Sequence, residues 1–437
     1  MRIKALTALL IPFAALAQPH GWTLQECIEY ALENNISIQQ SGINVQQKEI
    51  AVNTAEGRRL PGLAASSSQN FSFGRGLTAD NTYANTNTTS TSFSLGTDLP
   101  IFQGFDITNG IKLSKLDLAA ATADLDKAKD DIRVAVAQAY VQILYNKEIL
   151  QVAQNQVTID EQQLERVQAM KDNGKASAAE VSAQQATLAQ ARLSATQAGN
   201  NLNISLLDLS QLLELASPEG FDIAVPSEEA LRPGMLMNPE DIYAEAVEIK
   251  PAIQSEKLRL DYAELSIDRA KGGFLPSLSL SGGLGTNFYT SSGYPHAGFG
   301  EQMKNNFSQY VGLSLNIPIF SRFSTRNQVK SAQLSYDTQA LQLESIKKSL
   351  YKEIQQAYYN AVASQTKQTS SHDAATSAQQ AYDLVREKYE NGKASITEYN
   401  ESKNRWLEAE SNYLQSRYEC LFQTKLLDFY RGEALSF

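Results

Sequence analysis

The side chains with most chemistry to offer are few: three histidines, His20, His296 and His372, and two cysteines, Cys27 and Cys420. The histidines fall near the start, in a loop and in a helix, with no nucleophile motif or metal spacing beside them. The chain therefore does not read as an enzyme, and no cofactor or metal is expected. Two cysteines are too few for a disulfide framework and wrongly spaced for zinc; an exported protein could join them, or they are inert buried thiols. The acids with a defined spacing are Glu398 and Glu401, three apart behind Asn391-Gly392-Lys393. They share one helical face. Gathered from several copies about an axis, such carboxylates would repel, raise one another's pKa and attract cations. On a single helix, Glu398 closes a capping box with Ser395 and the pair forms a solvated face.

The elements that position them come twice. Leu99-Pro100-Ile101-Phe102 returns as Ile317-Pro318-Ile319-Phe320, 218 positions on. Gln138-Ala139-Tyr140 returns as Gln356-Ala357-Tyr358, and Asn173-Gly174-Lys175-Ala176-Ser177 as Asn391-Gly392-Lys393-Ala394-Ser395, at the same offset. Upstream, Ile38-Gln39 and Leu60-Pro61 return as Ile253-Gln254 and Leu275-Pro276, 215 on. Such self-similarity means two copies of one unit. The first repeat is placed at 18–215 and the second at 239–433, with a Pro- and Gly-punctuated linker at 216–238 and a tail at 434–437.

Each unit reads helix, strand, loop, strand, very long helix, tight turn, helix. Ala128, Ile132, Val136, Ala139 and Ile143 step by three and four, as do Ile346, Leu350, Ile354, Ala357 and Ala361, which is an apolar helical stripe. The long helices are expected at about 105–170 and 322–390; some 60 residues at 1.5 Å each is on the order of 90–100 Å, a length that argues for coiled-coil packing. Tip turns are expected at 171–177 and 391–395, where Gly174 and Gly392 supply the left-handed residue that ends a helix. Ser177 with Glu180, and Ser395 with Glu398, fit the capping box that opens the next helix, at 178–215 and 396–430.

Strands are expected at about 62–74, 89–101, 275–288 and 306–319. Leu63, Ala65, Phe71 and Phe73 alternate with Ser66, Ser68, Asn70 and Ser72, and Leu278, Leu280, Leu284 and Phe288 alternate with serines and glycines. Period-two segments of this length suit tilted membrane strands; a half-buried soluble sheet fits the alternation too. The polar faces carry Ser, Asn and Gly with almost no Lys or Glu, which favours a pore lining. Four strands cannot close a barrel, and open edges are not tolerated in lipid, so several chains must pool strands: two give a filled bore, three leave room for a pore.

Arg2 and Lys4 precede an apolar run closing on Ala15-Leu16-Ala17, an expected export signal at 1–17. The net charge of −10 leaves no basic cluster for nucleic acid, and a mean hydropathy of −0.33 excludes a bundle of membrane helices.

Two tandem copies of helix, strand pair, long helix and Gly-centred turn, with Pro-Ile-Phe exits at 100–102 and 318–320, resemble the TolC-like outer-membrane efflux family over essentially the whole mature chain. The resemblance implies a mostly α protomer with four membrane β-barrel strands, assembled as a homotrimeric α/β-barrel channel. It would sit in outer-membrane lipid with its helices in the periplasm and the linker in an equatorial belt. It implies a passive conduit for a tripartite efflux or type I secretion system, joined by a periplasmic adaptor to an inner-membrane pump. By resemblance, Asn173, Gly174, Lys175, Asn391, Gly392 and Lys393 are the adaptor-docking tips, Glu398 and Glu401 a pore gate ring, and Tyr389 with Glu180 a hydrogen-bonded gate latch. The family's arginine after the second turn is replaced by Ala394, and the polar partner beside its acid by Ala179, so one latch is missing. The competing reading is a soluble periplasmic coiled-coil scaffold.

Overall fold

A computed structural model describes residues 21–77, 81–227 and 234–436. The expected export signal at 1–17 lies outside the described residues. The chain forms two compact units: one holds residues up to 41, 125–250 and 347 onward, the other 42–124 and 251–346. Helices α3 (Asp106–Asp172) and α8 (Ser324–Glu390), 67 residues each, contribute to both.

The first unit is helical. It contains α1 (Leu24–Asn34), the distal parts of α3 and α8, α4 (Ala178–Leu212), α5 (Pro239–Ile249) and α9 (Ile396–Tyr430). The stripes become its core: Val136, Ile143, Ile354 and Ala361 are fully buried. Around Val136 and Ile143 pack Leu24, Cys27 and Ala31 of α1, Leu209 and Leu213, and Leu421. Cys27 and Cys420 are buried free thiols, and burial pushes the Cys27 thiol up to about 12. Tyr140, from one of the repeated motifs, donates from its hydroxyl to the carbonyl oxygens of Trp22 (3.1 Å) and Ala224 (2.6 Å). It thereby ties down both the start of the described chain and the segment after α4.

The second unit carries α2 (Ile36–Gly57) beyond Ser41, α6 (Pro251–Lys271), the proximal parts of α3 and α8, and the sheet. Each repeat breaks its leading helix once, at Asn35 (ψ 128°) and Lys250 (ψ 126°), 215 positions apart. The sheet is antiparallel in the order β1 (Gly62–Leu77), β2 (Tyr83–Gln103), β3 (Ser277–Ser291), β4 (Ser308–Asn316). Ala65 lies opposite Leu95, which lies opposite Leu284. Alternation therefore sorts Leu63, Phe71, Phe73, Phe93, Leu280, Leu313 and Val311 onto one face, where Phe73 is 75% and Val311 83% exposed. On the other face Ser66 bonds Ser94 and Ser68 bonds Ser92, each at 2.7 Å.

The structure differs from the alternation pattern in three places. β2 starts at Tyr83 because Tyr83–Thr88 pair with Ser72–Leu77 despite their polar side chains. β4 is only nine residues long: it ends at Asn316, two residues before Pro318, which has no N–H for a ladder, and it begins only at Ser308, leaving the outer part of β3 without it. The β3–β4 connection folds as a short helix, α7 (Phe299–Asn305).

After the Pro-Ile-Phe motifs the chain turns through consecutive left-handed residues, Gly104 and Phe105 in one repeat, Arg322 and Phe323 in the other. Gly104 is required for a second reason: a Cβ there would lie 2.2 Å from the Gly272 carbonyl oxygen. Gly104→Ala should therefore cut the yield of folded, detergent-extractable protein several-fold, while Arg322→Ala leaves it unchanged; quantifying the extracted folded fraction checks this.

Candidate gate and tip region

The two tips are built alike, each ending its long helix in a Schellman arrangement. The Lys175 N–H donates to Met170 O (2.8 Å) and the Gly174 N–H to Lys171 O (2.8 Å); the Lys393 N–H donates to Lys388 O (2.7 Å) and the Gly392 N–H to Tyr389 O (3.0 Å). Gly174 has φ +70° and Gly392 +69°, with open space where a Cβ would stand. The amides of Asn173 and Asn391 fold back onto the carbonyls of Ala169 and Glu387, four residues earlier. Gly174, Lys175, Gly392 and Lys393 are exposed.

Both following helices open with capping boxes. The Ser177 N–H donates to the Glu180 carboxylate (2.6 Å) and the Ser395 N–H to that of Glu398 (2.8 Å). The Ser177 N–H also holds the Glu180 carboxyl below its usual range. Glu398 and Glu401 are both exposed on α9, beside Arg405, whose contact with Glu401 at 3.7 Å is a weak solvent-facing pair.

Tyr389 has a different partner from the one the resemblance implied. Its hydroxyl accepts from Gln163 Nε2 at 2.7 Å, while the Glu180 carboxylate is occupied by its own cap. Glu180 acts on Tyr389 only through its charge, a smaller influence than the burial that raises the phenol's pKa. Within this chain the Tyr389 hydrogen bond therefore runs to Gln163. It is backed by Arg166, which donates to the Glu390 carbonyl (3.2 Å) and lies 5.5 Å over the Tyr389 ring.

One to two turns away lies what the sequence did not disclose. Lys403 of α9 and Asp160 of α3 form a direct ion pair with both side chains fully buried. Gln156 Nε2 donates to Asp160 at 2.5 Å and Gln184 Nε2 at 3.4 Å. Tyr399, stacked on Tyr389 and hydrogen-bonded to Tyr382 at 3.0 Å, covers the pair. The contacts join the α3/α4 hairpin to the α8/α9 hairpin just behind the tips. The signal that could have found them is asymmetry: the 218-residue offset sets Ala378 against Asp160 and Gln185 against Lys403.

Two long helical hairpins together with an amphipathic, antiparallel four-stranded sheet whose apolar face is largely exposed are the elements of an outer-membrane channel protomer. The family described as outer membrane efflux protein matches residues 27–214 and 242–431, and the chain belongs to that family. It is 24% identical over 414 residues to the outer membrane protein TolC of Escherichia coli strain K12, covering 94% of this chain and 81% of that protein. In fold it resembles the Campylobacter jejuni CmeC outer membrane channel, at 18% identity with a TM-score of 0.78 over 95% of this chain and 87% of that one. It likewise resembles VceC of Vibrio cholerae, at 17% identity with a TM-score of 0.75 over 94% and 96%. The protein is thus an outer-membrane efflux channel protomer of a transport family, and the soluble-scaffold reading is set aside. Among the described residues no helix is long and apolar enough to cross a membrane.

Proposed function

We propose that three copies of this chain pool their strands into one twelve-stranded barrel and form a passive conduit for a tripartite efflux or type I secretion system. The helices then lie in the periplasm, the linker at 216–238 contributes to an equatorial belt, and the tips meet a periplasmic adaptor linked to an inner-membrane pump. The observation that carries this is the sheet: β1 and β4 are its edges, and most of its apolar face, Leu63, Phe71, Phe73, Val311 and Leu313 among it, is exposed. In hydrocarbon every backbone group needs a partner, so the edges must join edges of other copies. Two copies would give eight strands and a bore filled by side chains; three leave a pore. Light scattering of the detergent-solubilised protein should give three times the chain mass. A stable monomer or dimer would refute the assembly.

Docking at the tips rests on Asn173, Gly174, Lys175, Asn391, Gly392 and Lys393 forming two small exposed turns of one design. A valine at Gly174 and Gly392 meets no neighbour but must adopt positive φ, at roughly 1–2 kcal/mol each. The double variant should therefore keep its trimer and lose most export. Unchanged export in cells expressing it would show that the adaptor docks elsewhere.

Gating rests on Glu398 and Glu401, exposed behind the second tip, as a ring of six carboxylates in the trimer. The resting state is held by Tyr389 with Gln163, Glu180 contributing its charge, and by the buried pair of Asp160 and Lys403.

A further inference from the structure

The loop helix α7 answers a backbone problem that β4 leaves open. β3 runs past its last pair with β4, Gly285 with Ser308, from Thr286 to Ser291. The edge there is closed by side chains. The Gln302 amide acts as a peptide group, its Oε1 accepting from the Tyr289 N–H and its Nε2 donating to the Tyr289 carbonyl, both at 3.0 Å. Asn306 Nδ2 donates to Asn287 O at 2.7 Å, and Thr286 Oγ1 donates to the Met303 carbonyl at 2.7 Å. Phe299 packs edge-on against Phe288 with centroids 5.1 Å apart. Thr286 and Phe288 belong to the apolar face, so α7 lies on that face in place of the missing outer half of β4.

The opposite edge of the sheet is longer. β1 has sixteen residues against nine in β4. If β4 of one copy pairs with β1 of the next, as the trimer reading requires and on which this inference rests, nine positions use up the inner part of β1. Phe73, Arg75 and Leu77 then stand beyond the end of β4. By alternation these three share the apolar face, the face that α7 occupies. Phe299 and Phe307 of that region are 51% and 56% exposed, and Glu301 projects from the first turn of α7, a turn away from Lys304. Within its own chain Arg75 lies 5.8 Å over the Tyr83 ring.

We propose that α7 is the outer seam of the assembly. It receives the outer end of β1 from a second copy of this chain, with Phe73 and Leu77 against Phe299 and Phe307, and Arg75 against Glu301. A strand continuing there would need a matching register; a short helix with an amide cap closes β3 and offers a side-chain surface to the neighbour instead.

Paired cysteines test the contact in the full-length trimer, the native thiols being buried and free. Oxidation of the Arg75→Cys/Glu301→Cys variant in detergent should give covalent dimers and trimers on a denaturing gel. Each single variant, and Ser68→Cys/Glu301→Cys, which places one thiol on the polar face, should stay monomeric on that gel. Light scattering of the same samples separates the possible failures. A trimer without cross-linked bands, or with the bond inside one chain, overturns the seam alone; a monomer overturns the trimer reading as well. Should the cysteines hinder folding, charge reversal serves. Arg75→Glu and Glu301→Arg should each lower the temperature at which the trimer dissociates, and together they should restore it; additive losses would overturn the pairing.

Discussion

Replacing Lys403 by Met should be the most destabilising single change in the helical unit, at about 3–5 kcal/mol, because Asp160 would remain fully buried without its cation. Gln156 and Gln184 cannot compensate fully: their amide nitrogens already reach Asp160, and their Oε1 atoms are buried without partners. The thermal midpoint of the helical signal in circular dichroism should fall by on the order of 10 °C. The double variant Asp160→Leu/Lys403→Met should recover most of that loss, since a packed apolar replacement of a buried ion pair is often neutral. Near the tips its hairpins would then be joined by Gln163–Tyr389 and Arg166–Glu390. The double variant should therefore be stable yet open more readily. If Lys403→Met melts with the wild type, the pair does not join the hairpins.

Neutralising the gate acids should have the largest effect on transport without touching stability. Glu398 and Glu401 are exposed, and if the proposed trimer gathers them into a ring of six carboxylates, the resting channel should favour cations and be blocked by divalent or trivalent cations from the periplasmic side. Glu398→Gln/Glu401→Gln should abolish most of that selectivity and weaken the block at least several-fold. The trimer should survive, because Gln can still accept the Ser395 N–H in the cap. Tyr389→Phe should act differently: it removes the acceptor for Gln163, loosens the hairpins and raises conductance with selectivity unchanged. Bilayer recordings on both variants decide, and wild-type selectivity in the double Gln variant would leave Glu398 and Glu401 as a solvated helix face.

Local chemistry made much of this fold legible. Asn173-Gly174 and Asn391-Gly392 announce positive-φ helix ends, and Ser177 with Glu180 and Ser395 with Glu398 announce caps, because each motif satisfies its own backbone within a few residues. The stripe through Val136 and Ile143 was legible because packing imposes the helical period on sequence. What was not legible depends on partners far away in the chain. Asp160 and Lys403 are 243 positions apart, and each alone looks like an ordinary helix charge. Gln163 likewise carries no mark of its partner Tyr389. The helix α7 escaped because seven residues are too few for periodicity, and its Gln302 matters only against a strand edge that β4 fails to reach. The gate acids lie between these cases: their common face was readable from their spacing, their role from resemblance alone.

A conduit should carry current, so the most direct test adds the purified wild-type protein to a planar lipid bilayer under an applied potential. Discrete, long-lived conductance steps are expected, small in the resting state, cation-selective and reversibly blocked by divalent cations on the side facing the helical tips. Protein that inserts as a trimer and carries no steady current under any of these conditions would contradict the conduit reading.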